Sequence, residues 1–361
     1  MGVVAGVAPG ARAQVDQAGE LRLARLESLR ALAALGVLAG HVWGAHHAFG
    51  PSATDDLVGR TIFGGGYGVF VFFALSGYLL FRPLANAAFG GERVDLRRYA
   101  MNRLLRTLPL YYVVVIVLLV VQEGGGSPGQ WWRFLTLAEN LFPATALTVD
   151  GPIWSLLVEL QFYALLPLVA VGLAWLVRGS RRNAAVLLLI VGLAGAALRI
   201  YLLSHRHVTD PRIVYSLLTT AFFFVPGMLL ALVRDVRLRG PLGSADLWLL
   251  ASIPVWLFIF DDYSRTAWAA VASFLVVGGA ALPLRHGPIV RALDWRPLAL
   301  IGVASYSLYL WHLPIVTALA PNALVWALPL SLLVAFVSYR VVEEPLLRVR
   351  RRWSSSSYRS T

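Results

Sequence analysis

The sequence predicts an all-α, polytopic integral membrane protein with about ten transmembrane helices and both termini in the cytoplasm. Of its 361 residues, 58% are hydrophobic and 14% are charged, and the mean hydropathy is +0.70. This balance lies outside that of soluble domains. About ten apolar stretches approach the roughly 20 residues that a helix needs to cross the hydrocarbon core. One membrane domain therefore takes up almost the whole chain.

The predicted helices are separated by short polar or Gly/Pro-rich breaks. They cover residues 26–47, 62–81, 104–121, 152–177, 184–203, 214–233, 246–260, 267–283, 298–320 and 323–342. Residues 130–142 are too short and polar to span, and they predict an external interfacial helix with Trp131 and Trp132 at the headgroups. The predicted regions are a cytoplasmic tail over 1–25, a transmembrane domain over 26–345 and a basic, Ser-rich cytoplasmic tail over 346–361.

The distribution of the arginines predicts the orientation of the chain. All 31 basic residues are arginine, and the net charge is +12. Those on one side of the predicted membrane are Arg60, Arg133, Arg199, Arg206, Arg212 and Arg265. The others lie in the tails, in the opposite loops and at the adjoining helix ends, so the positive-inside rule places both termini in the cytoplasm. The use of arginine in place of lysine suggests a GC-rich bacterial genome, so we expect the protein in the cytoplasmic membrane of a bacterium. Because the basic residues follow the membrane topology, they do not predict binding to nucleic acid.

Two further features limit the functional class. The first apolar run is not followed by a small-residue cleavage site, so it predicts a retained helix and not a removed signal peptide. The chain has no cysteine, which excludes disulfides and Cys-ligated metals. No metal site is predicted.

The first predicted helix carries two ionisable residues, which are functional candidates because burial of such groups in a membrane is costly. Arg30 and His41 are eleven residues apart, which places them on one helix face about 16 Å apart. Arg30 then lies near the cytoplasmic boundary and His41 in the outer half of the membrane. The alternative is that Arg30 is a snorkelling anchor and His41 a helix-packing residue.

A carboxylate in the fourth predicted helix lies at a similar depth. Glu159 is about seven residues, or about 10 Å, below the outer surface, so it can meet His41. A carboxylate that orients an imidazole lets the neutral ring act as a general base on a hydroxyl. Ser155 and Tyr163 lie one turn to either side of Glu159, and both packing and a role in the site are compatible with them.

The third predicted helix begins with two arginines one turn apart. Arg103 and Arg106 are explained in part as positive-inside anchors. Together with Arg30 they also predict a cationic pocket suited to phosphate groups.

Six segments between residues 22 and 348 carry a resemblance to a known family. They are LESLRALAALGVLAGH, GVFVFFALSGYLL, RYAMNRLLRTLPLYY, PIWSLLVELQFYALLPL, IGVASYSLYLWHLPI and VSYRVVEEPLLR. In order and spacing they resemble the acyltransferase 3 family of integral-membrane O-acyltransferases. The resemblance implies transfer of an acyl group, commonly acetyl, from cytoplasmic acyl-CoA, with no permanently bound cofactor. The implied acceptor is a hydroxyl of a surface glycan, a glycolipid or a secreted glycosylated metabolite.

The resemblance also implies roles for individual residues. His41 matches the catalytic histidine and Glu159 the acid of a Trp-Ser-Leu-x-x-Glu pattern, while Arg30, Arg103 and Arg106 match donor-binding arginines. The residues expected to be supporting or on the acceptor side are Ser76, Trp154, Ser155, Tyr163, Trp311 and His312. For Trp311 and His312, helix packing is an equally open interpretation.

Three features depart from the family pattern. Phe70 replaces the acid of the family's Gly-Val-Asp-Leu-Phe-Phe segment, and Leu160 follows Glu159 where a second acid is common. The chain also ends soon after its last predicted helix, whereas many polysaccharide-modifying members carry an extracellular hydrolase-like domain. We therefore expect that this chain either completes the transfer alone or passes the acyl group to a separate extracytoplasmic transferase.

The predicted mechanism has the phosphates of acyl-CoA on the arginines and the thioester near His41, which takes the proton of the acceptor hydroxyl. A covalent acyl-histidine is a variant that the sequence leaves open. The alternatives are a secondary transporter, in which buried His and Glu relay protons, and a flippase-like helper for a lipid-linked sugar or metabolite. A transporter predicts inverted repeats and matched broken helices, which the sequence does not show.

Overall fold

The structure is a computed structural model that describes residues 9–233, 238–260, 263–320 and 322–348. Within these ranges no β-strand forms, and an isolated bridge joins Ser244 to Arg285. The all-α prediction is therefore confirmed. The helices are α1 (Pro9–His46), α2 (Leu57–Phe63), α3 (Gly68–Ala88), α4 (Leu96–Val121), α5 (Pro128–Leu135), α6 (Ile153–Leu176), α7 (Arg181–Ile200), α8 (Pro211–Val214), α9 (Leu217–Thr220), α10 (Val225–Val233), α11 (Ala245–Ile259), α12 (Ala269–Ala281), α13 (Pro288–Ala292), α14 (Arg296–Val303), α15 (Ser305–Leu319) and α16 (Ala323–Ser338).

Several helical segments are long and apolar enough to cross a membrane. In the described part of the chain, six segments meet this condition: Leu21–His46, Leu57–Ala88, Leu96–Val121, Ile153–Leu176, Arg181–His205 and Ala323–Arg348. The bent pair of α14 and α15 makes a seventh if it counts as one span. The shorter apolar segments are Leu217–Val233, Ala245–Ile259 and Arg265–Ala281. The chain is thus a multi-pass membrane protein.

All ten predicted segments correspond to helical structure, although several ends differ. The first helix begins at Pro9, so the described part of the predicted N-terminal tail is helical and continuous with the first span. The third begins at Leu96, because the Asp95 side chain accepts a hydrogen bond from the Arg98 backbone N–H and caps the helix. The last continues to Arg348. The predicted C-terminal tail lies outside the described residues from residue 349 onward.

The ninth predicted helix is two helices. α14 ends at Val303, and α15 departs from it at an angle of 71°. Gly302 lies against the backbone of Glu27 in α1, and a Cβ at this position would overlap the Glu27 carbonyl. The close approach fixes α14 along α1 while α15 turns away. Hydropathy does not resolve this break, because both halves are apolar.

A short helix, α5 (Pro128–Leu135), covers the first part of the segment that the sequence predicts as an interfacial helix. Ser127 and Gln130 form a reciprocal capping box at its start. The Trp131 indole N–H donates to the Gly125 carbonyl, and the Trp132 side chain is 46% exposed. α5 is therefore a short, capped helix with an exposed aromatic ring, and its position at the membrane surface stays a prediction.

The core is built on α3 and its aromatic neighbours. Phe70 stacks on Phe223 with ring centroids 3.9 Å apart, and Phe73 stacks on Phe224 at 4.6 Å. Phe162 of α6 stacks on the other side of Phe224 at 3.8 Å. These ring pairs fix α3 between α6 and the segment that leads into α10.

A glycine contact brings α3 and α10 together. A Cβ at Gly227 would overlap the Ala74 carbonyl, and a Cβ at Gly77 would overlap the Phe224 carbonyl. Small residues allow such close backbone approach between membrane helices. The contact fixes the helix that carries Ser76.

A buried ion pair holds the first part of α1. The Arg25 guanidinium donates to both carboxylate oxygens of Asp294, at 2.6 and 2.8 Å, and to His286 Nε2 at 2.8 Å. One turn later the Ser28 hydroxyl donates to the Leu293 carbonyl at 2.6 Å. Arg25 is 5% exposed. These bonds set the position of α1, the helix of Arg30 and His41.

Candidate active site

One cavity of about 90 Å³ brings together the arginines that the sequence predicts as a cationic pocket. Arg30 enters it from α1, and Arg103 and Arg106 enter it from α4. The arginines reach one place because α1 and α4 both pack against α15. The cavity thus concentrates positive charge between helices, as binding of an anion requires.

Two of the three arginines are partly engaged by the protein. Arg30 donates to the Ser305 hydroxyl at 3.2 Å. Arg106 lies 3.4 Å from Glu343, a buried carboxylate that also accepts a hydrogen bond from Ser307 at 2.6 Å. Glu343 therefore offsets one positive charge of the cavity.

Arg103 has the most unused hydrogen-bonding capacity of the three. Its Nε is buried and has no acceptor among the described residues. The guanidinium carbon lies 6.0 Å from the centre of the Tyr163 ring, at the limit of a cation–π contact. A buried donor without an acceptor is costly, so Arg103 is the arginine best placed to gain from an anionic ligand.

Glu159 belongs to the same cavity as the arginines. It accepts a hydrogen bond from the Ser76 hydroxyl, and the Tyr163 hydroxyl lies beside both groups. All three side chains line the arginine cavity. Ser76, Glu159 and Tyr163 therefore form a polar cluster on α3 and α6 opposite the three arginines.

His41 lines a second cavity of about 370 Å³. Its Nδ1 lies 2.8 Å from the Val37 carbonyl oxygen and 3.3 Å from Nε2 of His312. The two imidazole rings are 5.0 Å apart between centroids, at an interplanar angle of 61°. Nδ1 of His312 in turn lies 2.6 Å from the Tyr309 carbonyl oxygen.

These contacts assign the tautomers of the two histidines. A carbonyl oxygen only accepts, so Nδ1 of His312 carries a proton and its Nε2 is an acceptor when the ring is neutral. Nδ1 of His41 likewise carries a proton, which it directs to Val37 and toward His312. The unprotonated nitrogen of a neutral His41 is therefore Nε2. This is the nitrogen that a general base requires.

The expected pair of His41 and Glu159 is not formed. Among the described residues, the hydrogen-bond partners of His41 are Val37 and His312, and Glu159 is bonded to Ser76. The two groups line different cavities. Similar depth in the membrane gave no information about the direction in which each helix presents its side chain, so the prediction of contact was wrong.

Tyr309 forms a wall between the two cavities. Its ring lines both, as does Val69. Its hydroxyl lies 2.8 Å from the Ser155 hydroxyl and donates to the Pro152 carbonyl at 3.2 Å. Ser155 also donates to that carbonyl, at 3.0 Å. Ser155 therefore holds this wall instead of contacting Glu159.

The two predicted tryptophans are placed differently. Trp154 lines the His41 cavity and packs against Tyr215, with ring centroids 4.6 Å apart. Trp311 donates through its indole N–H to Ser338 at 3.1 Å and joins α15 to α16. Trp154 is thus part of the candidate site, whereas the hydrogen bond of Trp311 supports the helix-packing interpretation.

The family model for an acyltransferase domain matches residues 23–342, which include both cavities. The chain belongs to this acyltransferase family. The match confirms the resemblance seen in the six sequence segments. No solved structure matches the chain.

Several bacterial proteins are similar to this family member. O-acetyltransferase OatA of Staphylococcus aureus (strain NCTC 8325 / PS 47) is 27% identical over 89% of this chain and 56% of its own length. Peptidoglycan O-acetyltransferase OatA of Listeria monocytogenes (strain EGD-e) is 25% identical over 89% of this chain and 55% of its own length. YrhL of Bacillus subtilis (strain 168) is 27% identical over 78% of this chain and 50% of its own length. The chain thus spans about half the length of these relatives.

The departure at Phe70 from the family pattern has a structural consequence. Phe70 is 4% exposed, stacks on Phe223 and lines the His41 cavity. An apolar ring therefore stands where many members of the acyltransferase family carry an acid. The chemistry of this chain must proceed without a carboxylate at that position.

Sequence reasoning missed two residues of the site. Glu343 lies one residue beyond the last predicted helix, so the expectation that an ionisable residue inside the membrane is functional does not extend to it. Extension of that helix by one turn would have found it. Tyr309 lies one turn before His312, and nothing in a helix of apolar and aromatic residues distinguishes a tyrosine that lines two cavities.

The described residues also bear on metal binding. Within those ranges, no group of three or more His, Asp or Glu side chains is placed to hold a metal ion.

Proposed function

We propose that this chain is a membrane O-acetyltransferase that transfers an acetyl group from cytoplasmic acetyl-CoA to a hydroxyl of a carbohydrate, with a peptidoglycan sugar as the preferred acceptor class. Family membership and the names of the two OatA relatives support the reaction, and the name of the Listeria monocytogenes relative supports peptidoglycan as the acceptor. The observation that carries the proposal is that His41 and the three arginines lie in adjacent cavities that share Tyr309.

In this proposal the arginine cavity receives the donor. Arg103, Arg106 and Arg30 bind phosphate groups of the CoA, because guanidinium groups pair with phosphate oxygens in a fork-like geometry. A cavity of about 90 Å³ is smaller than the roughly 300–1,000 Å³ of ordinary ligand sites. Donor binding therefore requires this region to open, and the Tyr309 wall is where the thioester approaches His41.

The reaction follows from the tautomer of His41. Nε2 takes the proton of the acceptor hydroxyl as its oxygen forms a bond to the thioester carbonyl carbon. The tetrahedral intermediate then breaks its carbon–sulfur bond, and the departing sulfur takes the proton from Nε2. The products are an acetyl ester and free CoA. Nδ1–H remains directed to Val37 and His312 throughout, which keeps Nε2 toward the acceptor.

The proposed orientation has ten spans with both termini in the cytoplasm. In this proposal the three shorter apolar segments also cross the membrane, in addition to the six long spans and the bent pair. The arginine distribution then puts α4 with its arginines on the cytoplasmic side. We therefore propose that the arginine cavity takes the donor from the cytoplasmic side.

The test uses the purified full chain in lipid nanodiscs, with acetyl-CoA and soluble peptidoglycan fragments. We expect free CoA and an acetylated fragment, and we expect His41→Ala to lower the rate at least about 100-fold. His46→Ala, an exposed histidine of the same helix, is the matched control and keeps the wild-type rate. Turnover without any ion gradient separates this proposal from a transporter. Near-normal transfer by His41→Ala would contradict it.

A further inference from the structure

We propose that the His41 cavity is the acceptor site and that it selects an uncharged sugar ring, with Trp154 and Tyr215 as the platform on which the ring lies. This inference rests on the proposed function. The cavity has a volume of about 370 Å³, within the range of ordinary small-molecule sites. It is therefore large enough for an acceptor ring without the opening that the arginine cavity needs.

The two cavities differ sharply in charge. The arginine cavity contains three guanidinium groups and a carboxylate. The His41 cavity has no Asp, Glu or Arg among its lining residues. An anionic group placed there would be desolvated without a cationic partner, which is strongly unfavourable. The charge pattern thus assigns the anionic donor to one cavity and a neutral acceptor to the other.

The lining of the His41 cavity suits a sugar. Its rings come from Phe49, Phe63, Tyr67, Phe70, Trp154, Tyr215 and Tyr309. The face of an aromatic ring carries partial negative charge and attracts the C–H groups on the face of a pyranose. His41 Nε2 supplies a polar group of the type that pairs with a sugar hydroxyl.

Trp154 and Tyr215 are placed to form the platform. Their rings pack over one another with centroids 4.6 Å apart at an interplanar angle of 37°, so each ring holds the other in place at the wall of the cavity. The Trp154 backbone is held by Asn140, whose side-chain amide donates to its carbonyl at 3.2 Å. The Trp154 ring also meets Phe73 edge to face, with centroids 5.9 Å apart. The platform is therefore fixed in position before a ligand arrives.

The mouth of the cavity is marked by Phe49. Ala48 and Phe49 both have positive φ, 49° and 52°, a conformation that is costly for residues other than glycine. The Phe49 backbone N–H donates to the Gly44 carbonyl at 2.6 Å, and a Cβ at Gly44 would overlap the Phe49 ring. The ring lines the cavity and is 52% exposed. Phe49 therefore stands where an acceptor enters.

The experiment compares two acceptors in nanodiscs, at saturating acetyl-CoA. One is the neutral disaccharide of N-acetylglucosamine, and the other is the same disaccharide with glucuronic acid as one ring. We expect acetylation of the neutral disaccharide and at least a 100-fold lower kcat/KM for the anionic one. Trp154→Leu and Tyr215→Leu should each raise the KM for the neutral disaccharide at least tenfold and leave the KM for acetyl-CoA unchanged. Trp326→Leu, at a tryptophan 60% exposed on α16, is the control.

A gain-of-function variant makes the test independent of folding losses. Phe49→Arg places a cation at the half-exposed mouth, and we expect it to raise kcat/KM for the anionic disaccharide at least tenfold. Leu57→Arg, at a site 65% exposed in α2, adds the same charge away from the cavity and should have no such effect. Equal use of both disaccharides by the wild type, or unchanged KM values in both platform variants, would overturn the inference.

Release of CoA from acetyl-CoA distinguishes the two proposals. If the protein releases no CoA with any of the three acceptors, the two disaccharides and the peptidoglycan fragments, the proposed function itself is overturned. His41-dependent release of CoA, with no transfer to the neutral disaccharide and no effect of that sugar on the release, would overturn only the acceptor site.

Discussion

Nδ1 of His41 lies 3.3 Å from Nε2 of His312, and the two imidazole rings belong to different helices that cross at this point. The Tyr309 carbonyl fixes the proton of His312 on Nδ1, so His312 presents an acceptor to His41. His41 therefore takes its orientation from a second histidine and a backbone carbonyl, where the sequence predicts a carboxylate. This makes His312 a positioning residue for the proposed base.

The first prediction concerns His312. His312→Leu removes the acceptor that faces Nδ1 of His41, so the base is less often in its productive orientation. We expect kcat to fall about 10- to 100-fold, by analogy with losses of orienting partners of histidine ligands, with the KM for acetyl-CoA unchanged. His312→Gln can present an amide oxygen at the same place and should recover at least part of the loss. If the KM for acetyl-CoA changes while kcat stays constant, His312 is a helix-packing residue and does not position His41.

The second prediction concerns Arg103, whose Nε has no acceptor in the described structure. Arg103→Gln removes a charge-assisted bond to the donor, worth about 1.5–3 kcal/mol. We expect the KM for acetyl-CoA to rise about tenfold or more, with little change in thermal unfolding. Arg340→Gln, whose side chain is 69% exposed, is the control for loss of one positive charge. An unchanged KM in the Arg103 variant would support the topology-anchor interpretation.

The third prediction separates the structural and ligand-binding roles of Arg106. Arg106→Gln leaves the Glu343 carboxylate buried without its cation, and loss of one partner of a buried pair costs about 3–5 kcal/mol. We expect a lower unfolding temperature in detergent. The double variant with Glu343→Gln removes both charges and should regain most of the stability, while the KM for acetyl-CoA stays high. An Arg106→Gln variant as stable as the wild type would show that the pair contributes little, and an equally low stability of the single and double variants would show that the loss does not come from an unpaired Glu343.

The fourth prediction concerns Glu139, which lies between α5 and α6, outside the membrane-spanning helices. Burial raises its pKa from 4.5 to about 8. The folded protein therefore binds this proton more tightly than the unfolded chain does. The stability that the bound proton provides is fully present below about pH 4.5 and is lost as the pH rises through 8. The loss amounts to no more than about 5 kcal/mol.

The measurement for Glu139 is the unfolding temperature between pH 5 and pH 8. Wild type should become less stable across this range, and Glu139→Gln should flatten the curve because an amide cannot ionise. Glu123→Gln, at an exposed carboxylate of the connection between α4 and α5, should leave the slope as in wild type. A slope that persists in Glu139→Gln would assign the pH dependence to other groups.

The fifth prediction concerns the ion pair that positions α1. Arg25→Ala leaves Asp294, whose side chain is 24% exposed, without its bidentate partner, and we expect a loss of about 1.5–3 kcal/mol in the free energy of unfolding. Arg348→Ala removes an exposed arginine paired with Glu344 and should cost less than about 1 kcal/mol. Calorimetry in the same detergent compares the two variants. Similar losses of unfolding free energy in the two variants would mean that burial does not strengthen the ion pair of Arg25 and Asp294.

The sequence predicted the helices and the residues that ionise within them. Hydropathy alone locates an apolar helix, because the membrane requires every backbone polar group to be paired within it. The eleven-residue interval between Arg30 and His41 placed both on one face, and both indeed face α15, at Ser305 and at His312. Hydropathy does not predict the break between α14 and α15 at Ala304, because this break arises from the packing of α14 along α1.

What the sequence by itself determined is therefore the all-α membrane fold, the family and the side of α1 that carries chemistry, since these follow from composition, periodicity and motif order. Only the tertiary structure decided which groups meet. Depth along a helix fixes one coordinate of a side chain, whereas contact also depends on the rotation and tilt of its helix. The rotation of α6 directs Glu159 to Ser76, because α3 packs against that face of α6. The rotation of α1 directs His41 to His312, because α15 packs against that face of α1.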